Sequence, residues 1–243
     1  MKSMIKALGG LVAAITLTVP SLAATLTLEQ LLDPGASITA GDKLFDSWEV
    51  TFTDASAEGA TWDFGDIDIT ALDDGGDDPG PGLMIDMGGQ MTVTGDGIYA
   101  YRDIAISFHV STIGDKKIKD NLLNFGNPAS FLSFLADDLN DLGMAVVEKV
   151  YDAAGNMLAD KYIEFSLLDG VETRDFPDSA AFAPQDEIWV TKNFLVWAVD
   201  DSDTASLGGV EQRFSQQSVP EPGSLALVAL ALAGLGAAAR RRG

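Results

Sequence analysis

The chain predicts an all-β fold: a single β-sandwich or jelly-roll-like ectodomain with one or two short helices, followed by a C-terminal hydrophobic helix. Three observations point there. Apolar and polar residues alternate with a period of two in segment after segment, the mark of half-buried strands. Clusters of Gly, Asp and Pro separate those segments at short intervals. One internal stretch alone shows sustained helical spacing, so strands must form the layers that cover one another.

In chain order, residues 1–6 carry Lys2 and Lys6, and residues 7–19 are an apolar run closed by Pro20. Ser21, Leu22 and Ala23 then offer small residues at a cut. This is the layout of a secretory signal peptide cleaved after Ala23. The expected division is therefore 1–23 signal peptide, 24–218 β-sandwich ectodomain and 219–243 sorting segment. Signal peptidase and the general secretion machinery are the implied partners of the first part.

Thr27 and Gln30 form a capping-box pair, predicting a short helix over 28–32 that stops at Asp33-Pro34-Gly35. In 37–53, Trp48, Val50 and Phe52 alternate with polar neighbours and predict a strand, with a turn at Gly41-Asp42. Ile67, Ile69 and Ala71 predict another strand from Gly65. Residues 73–82, DDGGDDPGPG, read as a loop. Short strands over 83–87 and 90–94 flank Gly88-Gly89 as a candidate hairpin. Residues 98–111 place Ile104, Ile106, Phe108 and Val110 on one face of a longer strand.

The stretch 121–143 breaks the strand pattern. Asn127 as a cap, Pro128 at the first helical position and Gly143 as a stop frame Phe131, Leu135, Leu139 and Leu142 at helical spacing. One amphipathic helix over 128–142 is expected. Residues 144–151 and 157–168 read as a hairpin whose turn needs Gly155. Residues 174–186, with two prolines, read as an irregular connection. Residues 187–199 form a strand apolar on both faces near its end, hence central. A last strand covers 205–215.

Composition narrows the chemistry. The ectodomain, about 195 residues, is long enough to bury a real core. It has no cysteine, so packing or bound ions must hold it, and thiol catalysis and zinc–thiolate sites are excluded. The chain carries −22; leaving out the two signal lysines, Glu221 and the three tail arginines makes the ectodomain −26. Nucleic acid is therefore not an expected partner, because phosphate contacts need basic patches.

No catalytic motif appears, and His109 is the only histidine, so a histidine-based triad or a histidine-rich metal site is not expected. With 37 acidic residues, no carboxylate pair stands out for glycoside hydrolysis; a carboxylate-dependent envelope hydrolase is the weakest class considered. No cofactor and no metal residue is assigned. Asp73, Asp74, Asp77 and Asp78 are the place where calcium could sit, although their spacing is not that of an EF-hand. Trp48 and Trp197 belong to apolar strands and are expected in the core, while Trp62 and Trp189 are the tryptophans that exposure would make available to sugar rings.

The tail orders three parts: Val219-Pro220-Glu221-Pro222, an uncharged run over 225–239, and Arg240, Arg241 and Arg242. The 15-residue run spans only ~22 Å as a helix, short for a bilayer core of ~30 Å. The arginines act as a membrane stop on the cytoplasmic side, so the bulk of the chain faces out. The prolines stiffen and extend the segment before the run. This order resembles the PEP-CTERM sorting signal of Gram-negative bacteria. The resemblance implies an exosortase-type membrane protease as partner, processing near Val219, Pro220, Glu221 and Pro222, transient membrane anchoring, and release to the outer envelope or an exopolysaccharide matrix. Residues 41–45, GDKLF, and 209–216, GVEQRFSQ, are also similar to segments of ectodomains bearing such tails. The expected role is structural or adhesive and non-enzymatic, with carbohydrate binding as the alternative.

Overall fold

The structure, a computed structural model, describes residues 23–126, 130–134 and 141–218. Residues 1–22 of the expected signal peptide, the expected hydrophobic helix of the sorting segment, and most of the expected internal helix lie outside the described residues. After β1 (Thr25–Thr27), Thr27 Oγ1 accepts from Gln30 N at 3.2 Å and Gln30 Oε1 accepts from Thr27 N at 3.0 Å. These two bonds satisfy otherwise orphaned donors and start α1 (Leu28–Leu31), the one helix among the described residues.

The other strands are β2 (Ser37–Ala40), β3 (Lys43–Ala55), β4 (Asp68–Leu72), β5 (Gly82–Asp86), β6 (Thr92–Thr94), β7 (Ala100–Thr112), β8 (Lys116–Phe125) and β9 (Phe131–Ser133). They continue with β10 (Asp141–Tyr151), β11 (Met157–Leu168), β12 (Val171–Asp175), β13 (Asp178–Gln185), β14 (Glu187–Ala198), β15 (Thr204–Ser206) and β16 (Gly209–Ser218). A six-stranded sheet runs β1-β4-β5-β16-β8-β13 and a seven-stranded sheet runs β12-β11-β10-β14-β7-β3-β2. A small third sheet is β6-β15-β9. Every pairing is antiparallel.

The two large sheets pack face to face as a sandwich. Ile104, Ile106, Phe108, Val146, Val190 and Phe194 supply one inner face, and Ile69, Leu83, Ile85, Leu123, Val210 and Phe214 the other. Phe45 bridges the layers: its ring lies 5.6 Å from Phe214 of the opposite sheet and 6.2 Å from Phe108 of its own. Full burial of one such ring contributes roughly 1.5–3 kcal/mol. The six-stranded sheet also holds the last strand tightly, because a Cβ at Gly82 would fall 1.8 Å from Gln212 O. Among the described residues no helix is long and apolar enough to cross a membrane.

The hairpin of β10 and β11 forms as its turn chemistry predicts, with Gly155 at φ 82°. β14 is central, between β10 and β7. Other expectations are corrected. Where the expected helix over 128–142 falls on described residues, it is replaced by strand: Phe131–Ser133 is β9, and Asp141 and Leu142 open β10. Leu142 is fully buried opposite Leu167 and Ala198, so sheet pairing overrides the local helical spacing. Asn121 does not end the strand pattern but lies inside β8.

No hairpin joins 83–87 to 90–94, because β5 pairs with β4 and β16 while β6 pairs with β15. Gly88, at φ 53°, instead turns the chain against Asp66, whose carbonyl oxygen a Cβ would meet at 1.8 Å. Residues 174–186 are not irregular: β12 and β13 are edge strands with little burial, which hides their period. The face of β3 also changes along its length. Irregularities after Asp46 and after Val50 leave Trp48 buried and Phe52 exposed. The expected last strand divides into β15 and β16.

Candidate functional site

The acidic loop is tied down by cations and amides. Asp73 Oδ1 accepts from Gly41 N at 2.9 Å, and Asp74 Oδ1 accepts from Arg213 Nη1 at 2.8 Å. Asp77 Oδ1 accepts from Lys116 Nζ at 2.7 Å, while Asp78 accepts from Lys119 Nζ and Ser215 Oγ, each at 3.2 Å. Arg213 holds Asp74, and Lys116 with Gln216 holds Asp77, below the usual carboxylate range. The four acids thus point to different partners on β2–β3, β8 and β16 instead of to one centre. Among the described residues no group of three or more His, Asp or Glu is arranged to hold a metal ion.

The outer face of the seven-stranded sheet gathers aromatic and hydrogen-bonding side chains. His109 on β7 lies between Asp46 on β3, with Nδ1 3.0 Å from Oδ1, and Glu187 on β14, with Nε2 3.4 Å from Oε2. Its ring is 4.9 Å from that of Trp189, which is 41% exposed. Farther along the same face, Asn193 Nδ2 donates to Asp103 at 2.5 Å, and burial pushes the Asp103 carboxyl up. Tyr101 donates to Asp54 at 2.8 Å, and exposed Tyr162 donates to Glu164 at 2.8 Å. Burial and that bond push the Tyr162 hydroxyl up to about 12.

The four tryptophans divide as follows. Trp48 is buried and stacks on Phe108 at 4.5 Å. Trp197 is also buried, but strand alternation puts it on the outer side of the sheet, over Gly143, where its Nε1 donates to Asp141 at 3.0 Å. Trp62 is partly buried beneath the Arg102 guanidinium, 4.2 Å away. Trp189 is therefore the tryptophan with a ring open to a ligand.

A third site lies between the sheets, and the sequence reading missed it. Glu148 on β10 is fully buried and stands in register with Lys161 on β11 and Lys192 on β14, both also buried. Lys161 Nζ lies 2.6 Å from Glu148 Oε1, and Lys192 Nζ contacts Glu148 Oε2 and Gln212 Oε1. From the opposite sheet Asn121 Nδ2 donates to Glu148 Oε1 at 2.6 Å. Burial lowers Lys192 to about 8 against the pull of Glu148. Burial alone would raise Glu148, but the charges of Lys192 and Lys161 outweigh it and hold the carboxyl low. The signal was the strand parity itself. Glu148 alternates in phase with Val146 and Val150, Lys161 with Ala159 and Ile163, and Lys192 with Val190 and Phe194.

The two segments singled out by resemblance meet in this interior. Lys43 Nζ donates to Gln216 Oε1 at 2.6 Å and Phe45 packs on Phe214. Both segments thus supply core contacts between the sheets.

The PEP-CTERM protein-sorting motif matches residues 218–242. The matched stretch includes Val219, Pro220, Glu221, Pro222 and the three arginines, and the chain thus carries a signal for export and membrane-associated processing. No curated protein matches the chain by sequence. Among solved structures, the chain is similar to TmCBM27, a carbohydrate-binding module that recognises mannan, at 10% identity and a TM-score of 0.30, covering 81% of this chain and 98% of that one. It is similar to the CBM22-1 xylan-binding domain of Paenibacillus barcinonensis Xyn10C at 9% identity and a TM-score of 0.25, covering 80% and 95%. It is also similar to the enzymatically active domain of bacteriophage CBA120 tailspike protein 4, at 14% identity and a TM-score of 0.22, covering 71% and 19%. At these scores the fold assignment rests on the strand pairing above, not on the likeness.

Proposed function

We propose that this chain is an exported, non-enzymatic β-sandwich protein that an exosortase-type protease releases from a transient membrane anchor into the outer envelope or extracellular matrix, where it is structural or adhesive. The sorting motif over 218–242 is the observation that carries this reading. Val219, Pro220, Glu221 and Pro222 present the processing site, and Arg240, Arg241 and Arg242 stop the chain in the membrane with its strands outside. Deleting 219–243 in the native host tests it. The expected result is loss of the protein from the envelope and matrix fraction, with accumulation elsewhere. Unchanged delivery of the shortened chain would contradict the reading.

A second reading, binding of the cell's own exopolysaccharide, is supported by Trp189. Its ring is exposed on a broad sheet face beside His109, Asp46 and Glu187, a combination of stacking surface and hydrogen-bonding groups suited to a sugar. Retention on immobilised exopolysaccharide, lost in Trp189→Ala, would support it; equal retention of both proteins would dismiss it.

A further inference from the structure

The buried cluster between the sheets holds a nucleophile, an amide and a proton carrier. We propose that Lys161 and Asn121 react with each other to form an intramolecular amide bond that joins β11 to β8 across the sandwich, with Glu148 moving the proton. Three observations lead to this. Lys161 Nζ and Asn121 Nδ2 each lie 2.6 Å from the same oxygen, Glu148 Oε1, and so within twice that distance of one another. Asn121 Oδ1 is buried without a hydrogen-bond partner, and Lys161 Nζ, though ion-paired with Glu148, makes no directed hydrogen bond, which leaves the carbonyl open to the amine. Two lysines also share the one carboxylate of Glu148, so the cluster buries a positive charge without a counter-ion, which is costly.

The reaction balances within the cluster. Lys161 gives its surplus proton to Glu148, and the freed amine attacks Asn121 Cγ, forming the Nζ–Cγ bond. Glu148 passes a proton to Nδ2 and takes the one that the attacking amine sheds. The Cγ–Nδ2 bond breaks, and the departing ammonia carries off the surplus proton as ammonium. No oxidant, reductant or co-reactant is needed. What remains is one carboxylate with one ammonium, Glu148 with Lys192, and the surplus charge is gone. The apolar neighbours on each strand, Val146, Val150, Ile163 and Phe194, are all fully buried and keep water from competing. The product also gives an exported chain without cysteine a covalent tie between its layers.

Tandem mass spectrometry of proteolytic peptides from the full chain, recovered after export, tests the proposal. The expected result is a branched peptide joining the Lys161 segment to the Asn121 segment, lighter than the two unlinked peptides together by one ammonia, which carries off the amide nitrogen of Asn121. Asn121→Ala should remove the branched peptide while leaving a folded protein by circular dichroism. Separate, unbranched peptides of full mass for both segments would overturn it, as would a branch from Lys192 to Gln212. The measurement on the native chain decides the matter even where a variant fails to fold.

Discussion

The acidic loop over 73–78 and the cluster around Glu148 both pair carboxylates with basic side chains, but one stands in water and the other does not. Asp74, Asp77 and Asp78 are mostly exposed, and each has its own Arg or Lys. Such pairs are screened by salt and contribute little to stability. Glu148, Lys161 and Lys192 have no water to fall back on. Their mutual attraction offsets a desolvation cost, and removing one member leaves the others stranded. Loop charge therefore stays in contact with solvent, while each cluster charge depends on its buried partners.

The contrast is broken most severely at Glu148. Glu148→Gln should destabilise the domain by about 3–5 kcal/mol, because two buried amines lose their carboxylate; a denaturant midpoint that hardly moves would show that the charges are not confined as described. A smaller effect is expected from pH. Lys192 is lowered to about 8 from 10.5, so between those values the unfolded chain binds the extra proton and the folded one does not. Stability should rise with pH across that window, by at most about 1.4 kcal/mol per unit, and the rise should vanish in Lys192→Met. Urea melts from about pH 7.5 to about pH 10.5, a range that covers both values, check the sign.

Smaller again is Asp74→Asn, which should cost no more than about 1 kcal/mol at low salt and nothing measurable near 1 M salt. Because Arg213 holds Asp74 below the ordinary carboxylate range, its contribution is present above that range and lost as pH falls through the folded value. An equal cost at both salt concentrations would mean the loop is less exposed than it stands here. Smallest is Trp189→Ala, expected to shift stability by no more than about 0.5 kcal/mol, so that any loss of sugar retention reports on the surface alone.

The same contrast separates what was legible in the sequence from what was not. Period-two alternation and turn glycines disclose the central strands and the β10–β11 hairpin, because burial on one face imposes that pattern. Edge strands β12 and β13 bury little and leave no pattern to read. Residues 131–133 and 141–142 carry helical spacing that is accidental once Leu142 finds its place opposite Leu167 and Ala198. Glu148, Lys161 and Lys192 sit at inward parity in plain view, but charged residues inside a sandwich are rare enough that parity alone seldom prompts the reading. The tail needs no tertiary context: its proline pair, apolar run and arginines are contiguous, and the motif matched there is the stretch the sequence singles out.

The most direct test of the account is the C-terminal peptide of the protein collected from the cell surface. Removal of everything beyond about Pro222 is the predicted result. Recovery of surface protein that still ends in Arg240, Arg241, Arg242 and Gly243 would contradict it.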